Sequence, residues 1–297
     1  MMRFSFFKGC FIPVRFPHIE AVAKQVLPEF DVELHEIRDF TCCPEPIGVT
    51  INHRLTGVAI SARNIALAEE AGHDIITLCN GCTYTLKQAN LQLKDDPELR
   101  EKINEILSVT DHEYRGSIEV KHFAHVLTED IGLDRIKEKI EIPLRGLRVA
   151  SHTGCHILSP PEKMVFDDPE DPVKLDHMME ALGAESLFYL HKTQCCGWTV
   201  ANYGDREHSN RLLGDKLRAM RYAEADGINV ICPQCLAQLD TGQMLAARSL
   251  DFDFKLPALF YLQYLAMAMG YTLDEIGYRY HRVKSHHFEE KIEEVLR

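Results

Sequence analysis

Ten cysteines occur in this 297-residue sequence: Cys10, Cys42, Cys43, Cys79, Cys82, Cys155, Cys195, Cys196, Cys232 and Cys235. The first five read C-x31-CC-x35-C-x2-C and the second five C-x39-CC-x35-C-x2-C, with none left over. Two unrelated metal sites have no reason to share that register, whereas an internal duplication produces it. A CxxC pair alone fits a redox dithiol, half a zinc site or half an iron–sulfur site. Zinc and ordinary cubane clusters each take four ligands, leaving one thiolate per repeat unexplained. Five thiols per repeat, two of them adjacent, point instead to a larger or less symmetric iron–sulfur cluster. Reduced cysteines serving only as core residues are the bland alternative, and ten in register argue against it.

Other residues keep the same register. A glycine precedes the first cysteine of each set, as Gly9 and Gly154; these are turn glycines or points of close backbone approach to a cofactor. Ala68, Glu69 and Gly72 correspond to Ala223, Glu224 and Gly227 before each CxxC. The repeat boundary falls near 143–146, giving a first domain over 1–146 and a second over 147–297.

Strands must carry these groups to one place. Apolar runs at 4–7, 32–37, 75–78 and 120–122 read as strands. Helical spacing follows over 18–27, 55–71 and 123–131, with Gly72 as a stop signal. In the second half, residues 147–150 restart the pattern and 259–269 match the last strand and helix. The fold class is therefore α/β: two homologous domains, each a small, mainly parallel sheet flanked by helices. Cysteines that follow successive strands gather at the carboxyl ends of a parallel sheet, where such sheets place ligands.

Composition narrows the function classes. Lys plus Arg number 33 against 45 Asp plus Glu, a net charge of −12, which argues against a nucleic-acid-binding surface. Residues 256–270 form the longest apolar stretch, short of the roughly 20 needed to span a bilayer and interrupted by Gln263. Arg3, Ser5 and Lys8 break up the N-terminal apolar residues, so no secretory segment is expected. Without secretion, ten cysteines point to metal or redox chemistry rather than structural disulfides.

The two five-cysteine patterns resemble the CCG domains of the heterodisulfide reductase B-subunit family, over most of the chain from Phe6 to Cys235. Cys195-Cys196-Gly197 matches the name of the motif, while the first copy departs from it as Cys42-Cys43-Pro44. Lactate- and glycolate-oxidising systems and some succinate dehydrogenases or fumarate reductases carry similar domains. The resemblance implies two noncubane [4Fe-4S] clusters, one held by Cys10, Cys42, Cys43, Cys79 and Cys82. Cys155, Cys195, Cys196, Cys232 and Cys235 would hold the other. It further implies reduction of the coenzyme M–coenzyme B mixed disulfide to two thiols, with the substrate lying between the clusters. The iron–sulfur C-subunit of heterodisulfide reductase would donate electrons, and its flavin-bearing A-subunit would lie beyond. A hydrogenase or formate dehydrogenase would feed this cytoplasmic, electron-bifurcating complex of methanogenesis. A second reading, of a different class, is an electron-transfer or interaction subunit of another CCG-containing oxidoreductase, whose clusters only relay charge to a catalytic partner; a third is a structural zinc protein.

Both substrate halves are anionic, so the cleft of an acidic protein needs local positive charge. Lys8, His152 and Lys192 stand beside cluster cysteines and are the substrate-binding candidates, each set against an ordinary solvated or backbone-satisfied role. No separate catalytic acid is expected beyond a nearby histidine. Trp198 walls the second cluster or simply packs in the core. The basic segment from Arg279 to His287 contacts a partner or the substrate, or is merely solvated.

Overall fold

Each half of the chain builds a four-stranded, all-parallel sheet in the computed structural model, which describes residues 1–250 and 254–295. The first sheet contains β1 (Met2–Phe7), β2 (Val32–His35), β3 (Asp74–Thr77) and β4 (Val120–His122), in the order β2-β1-β3-β4. The second contains β5 (Arg148–His152), β6 (Glu185–Ser186), β7 (Gly227–Val230) and β8 (Ala258–Phe260), in the order β6-β5-β7-β8. The strand order repeats between the halves, as a duplicated unit requires. Helices cover both faces of these sheets. The central strand β7 is accordingly buried along its whole length.

Sequence periodicity locates most of these elements. The helices expected over 18–27 and 55–71 form as Pro17–Val26 and Arg54–Ala71, and Gly72 ends the latter at a φ of 74°. Strand β2 stops at His35, two residues before the apolar run ends. The helix expected over 123–131 is instead one α-turn, Phe123–His125, followed by a wider π-type turn, Val126–Ile131, that closes at Gly132. Strand β6 has only two residues, too few to show an alternation.

The two sheets meet at their carboxyl ends. Asn80, just beyond β3, donates through Nδ2 to the Thr153 carbonyl beyond β5 at 2.7 Å. Nε2 of His122, at the end of β4, lies 3.1 Å from the Ile231 carbonyl beyond β7. Phe123 follows β4 and packs on Phe260 of β8 with ring centroids 5.3 Å apart; both are fully buried. One apolar core thus runs through both halves.

The basic C-terminal segment is folded onto the second half. Asp240 accepts hydrogen bonds from the Arg282 and Val283 amides, His281 is buried against Gln263, and His287 pairs with Asp226 at 2.9 Å. Among the described residues, no helix is long and apolar enough to cross a membrane.

Truncating the aromatic junction tests the shared core. Phe123→Ala is expected to destabilise the protein by about 3–5 kcal/mol, read as a lowered midpoint in anaerobic guanidinium unfolding.

Candidate metal centre

Every cysteine lies beyond the carboxyl end of a strand. Cys10 follows β1, Cys42 and Cys43 follow β2, and Cys79 follows β3 as the N-cap of the helix Asn80–Asp95, with Cys82 in its first turn. The second half repeats the arrangement: Cys155 after β5, Cys195 and Cys196 after β6, and Cys232 capping Pro233–Ala237 with Cys235 inside it. Three-residue spacing sets each CxxC at a helix start, and at Cys232 the backbone there favours negative sulfur. Pro233 suits the first helical position because its missing N–H would be unpaired there anyway.

All ten thiols are free. In the first half all five line one cavity, and neighbouring thiols interact in the series Cys10, Cys42, Cys43, Cys82, Cys79. The second half gives the corresponding series Cys155, Cys195, Cys196, Cys235, Cys232. The Cys196 and Cys235 sulfurs are 3.6 Å apart, well beyond a disulfide bond length. Cys79 and Cys232 influence each other across the domain junction. Cys10, Cys42 and Cys155, at the outer ends, are exposed, while the sulfurs near the junction are buried.

Crowding decides the protonation of these rows. Hydrogen bonds from neighbouring thiols hold Cys43, Cys195 and Cys232 below the usual thiol range; for Cys43 this means down to about 5. The donors lose acidity in turn: hydrogen bonding to a neighbour, reinforced by burial, pushes Cys10, Cys82, Cys155 and Cys235 up. Ten adjacent sulfurs cannot all ionise unless cations replace the shared protons. That donor set fits iron–sulfur clusters, with five sulfurs available to each.

The backbone fits close to the sulfurs. Gly9 has a φ of 65°, and a Cβ there would lie 2.8 Å from the Cys82 sulfur. Gly154, at 83°, would place a Cβ 2.7 Å from Asn80 Nδ2 and 3.4 Å from the Cys235 sulfur. Both conformation and space therefore call for glycine.

The cysteine-rich (CCG) domain family matches residues 4–87 and 149–240. A Methanosarcina acetivorans protein, named as the B-subunit of a ferredoxin/F420H2-dependent CoB–CoM heterodisulfide reductase, is 36% identical over 99% of this chain and 98% of its own length. The chain belongs to the heterodisulfide reductase B-subunit family. A second relative, the B-subunit of the ferredoxin:CoB–CoM heterodisulfide reductase of Methanosarcina mazei, is 35% identical over 99% of this chain and 98% of its own. Among solved structures, a hypothetical protein from Helicobacter pylori matches 95% of this chain and 52% of its own with a TM-score of 0.75. At 16% identity this is a likeness of fold.

The two CCG motifs of this heterodisulfide reductase family chain are braced differently. Gly197 takes a φ of 90°, donates its N–H to the Cys195 sulfur at 3.3 Å, and leaves no room for a Cβ against Ser209. Pro44 has no N–H to offer, and the Glu45 backbone serves Cys42 instead. The buried Asn64 holds this loop, accepting from the Thr41 amide at 2.9 Å and donating to the Cys42 carbonyl at 3.2 Å.

Lys8 lines the first sulfur cavity, with its ammonium bonded to Glu20 at 3.1 Å and Glu36 at 2.8 Å. Lys192 is ion-paired with Asp176, both nearly buried. His152 is 2% exposed, and its ring lies within 4.8 Å of the Cys196 and Cys235 sulfurs. Burial lowers its pKa to about 3, so the imidazole is neutral. Trp198 lines the second sulfur cavity and meets Phe11, which lines the first, edge-on at 5.2 Å.

Sequence proximity did not point to Arg15 and Arg206. Both line a cavity of about 350 Å³ between the halves, walled by Trp198 and bordered by Asn202, Asn210 and Gln238. The Arg15 guanidinium lies over the Phe11 ring at 5.6 Å. Each arginine belongs to a different half, so only the folded chain brings them together.

Asn64→Ala leaves the Thr41 amide and Cys42 carbonyl without their buried partner, at a cost of about 1–3 kcal/mol. Anaerobic iron analysis is expected to show loss from the first set of cysteines and retention by the second.

Proposed function

We propose that this chain is the disulfide-reducing subunit of a cytoplasmic heterodisulfide reductase complex, splitting the coenzyme M–coenzyme B disulfide into two thiols. The observation that carries this reading is the pair of neighbouring cavities, each lined by five cysteines and both bordered by Gln234. Halves 1–146 and 147–297 would each hold one noncubane [4Fe-4S] cluster through the five cysteines named above. When bound, such clusters supply electrons one at a time, and two suit the two electrons that a disulfide consumes.

The chain supplies position and charge. At Cys232 neighbouring thiols and the backbone of the helix start stabilise negative sulfur, and burial at the junction excludes water. Arg15 and Arg206 would receive a sulfonate, phosphate or carboxylate of the substrate in the inter-domain cavity. Lys8 and Lys192 would contribute only after exchanging carboxylate partners, and His152 from beneath the sulfurs as a neutral ring. His156 lines the second sulfur cavity, stacked on Tyr84 at 5.2 Å, and would hold the proton for a departing thiolate. An iron–sulfur C-subunit and a flavin-bearing A-subunit would deliver electrons in a bifurcating complex of methanogenesis, fed by a hydrogenase or formate dehydrogenase.

Metal analysis and electron paramagnetic resonance on the anaerobic complex test this reading. Iron is expected, and coenzyme M should perturb the cluster signals. Stoichiometric zinc without iron would sink the cluster assignment, and iron signals indifferent to coenzyme M would favour an electron relay. Arg206→Ala is expected to raise KM for the disulfide by about tenfold or more, the worth of a charged hydrogen bond. The kcat should change little, because the contact is remote from the sulfurs.

A further inference from the structure

We propose that Lys216 makes the cluster site of the second half the stronger electron acceptor of the two, its buried ammonium raising that site's reduction potential above that of the first. This inference rests on the cluster reading given above.

Lys216 lies on the helix Arg206–Tyr222 and is 0% exposed. Among the described residues its ammonium bonds only to backbone carbonyls, those of His191 and Lys192, on the loop that leads into Cys195 and Cys196. Its Nζ also sits 5.5 Å from the Tyr189 ring centre. A cation buried without a carboxylate is costly unless negative charge lies nearby. Here that charge belongs to the second set of sulfurs: Cys196, Cys235, Cys195 and Cys155 all favour the charged form of Lys216. Burial works against them, lowering the lysine toward about 8, which still leaves it mostly protonated at neutral pH. The neighbouring Lys192–Asp176 pair is neutral as a unit and leaves this balance unchanged.

The first half carries the same device in a weaker form. Arg63 follows Cys43 by 20 residues, as Lys216 follows Cys196. It donates to the Asp39 carbonyl at 2.9 Å, and Asp39 precedes Cys43 by the same four residues as Lys192 precedes Cys196. Arg63 is partly exposed, so water and salt screen its charge. A second difference acts in the same direction. His152, within reach of the Cys196 and Cys235 sulfurs, occupies the place of Phe7 in the first half. A polar ring there can offer an N–H toward sulfur, whereas Phe7 only packs against Phe40 at 5.0 Å.

Reduction adds one electron, and hence one negative charge, to a site. A fixed, unscreened positive charge beside the sulfurs stabilises the reduced form, one of the means by which proteins set cluster potentials. The electron would therefore settle first on the second site.

Redox titration of the anaerobic complex, followed by electron paramagnetic resonance, tests this inference. Cys43→Ala and Cys196→Ala, each disabling one set, assign the signals. In the native protein the second site is expected to titrate at the higher potential. Lys216→Met should shift its oxidised-to-reduced ratio by at least tenfold toward the oxidised form, about 59 mV for one electron. The first site should be unmoved, and Lys216→Arg should keep the native value. If the Met variant does not fold, Lys216→Gln serves the same comparison. Equal native potentials, an unshifted second site, or an equal shift at both sites would overturn the proposal. A protein without iron would overturn the cluster reading instead, so the two failures are distinguishable.

Discussion

Negative sulfur is hard to concentrate, and this structure gathers ten cysteines around two neighbouring cavities. Neighbouring thiolates repel one another strongly where little water screens them. The remaining features answer that repulsion. The helix start after Cys232 turns backbone N–H groups toward its sulfur, backbone amides reach Cys195 and Cys42, and a lysine is buried behind Cys195 and Cys196. What these dipoles leave uncompensated is the charge that metal ions supply. The protein thus gains a reason to hold iron from the same crowding that makes its sulfurs difficult to ionise.

The sheets make the crowding possible. A parallel strand order puts every βα turn of one half at one end, and the halves dock with those ends facing. Neither half closes its own site fully. Asn80 of the first reaches the Thr153 carbonyl of the second, and Gln234 of the second lines both sulfur cavities. The junction is therefore part of each centre rather than a seam between two finished domains.

Much of this was legible in the amino-acid sequence because cysteine spacing is discrete. Equal gaps of 35 residues locate the duplication without any knowledge of packing. Apolar runs likewise locate β1, β3 and β4, which are central or well covered. Strand β6 escaped because two residues show no period, and 123–131 misled because a π-type turn keeps roughly helical spacing. Charged residues were harder still. Lys8 and Lys192 stand out by sequence position, yet their carboxylate partners Glu20, Glu36 and Asp176 come from other elements. Arg15 and Arg206 are 191 positions apart, and Lys216 sits in an ordinary amphipathic helix. Only packing separates a solvated cation from a buried one.

Phe7 and His152 occupy the same place in the two repeats, one a hydrocarbon ring and the other an imidazole. Two identical sulfur rows facing each other would offer an unsymmetrical disulfide two orientations of equal energy. Half of the encounters would then seat each end against the wrong wall. Exchanging one ring for the other is one of the differences that lift this degeneracy, beside Gly197 against Pro44 and Lys216 against Arg63. The duplication supplies a matched pair of hands, and the residues that differ between the copies tell left from right.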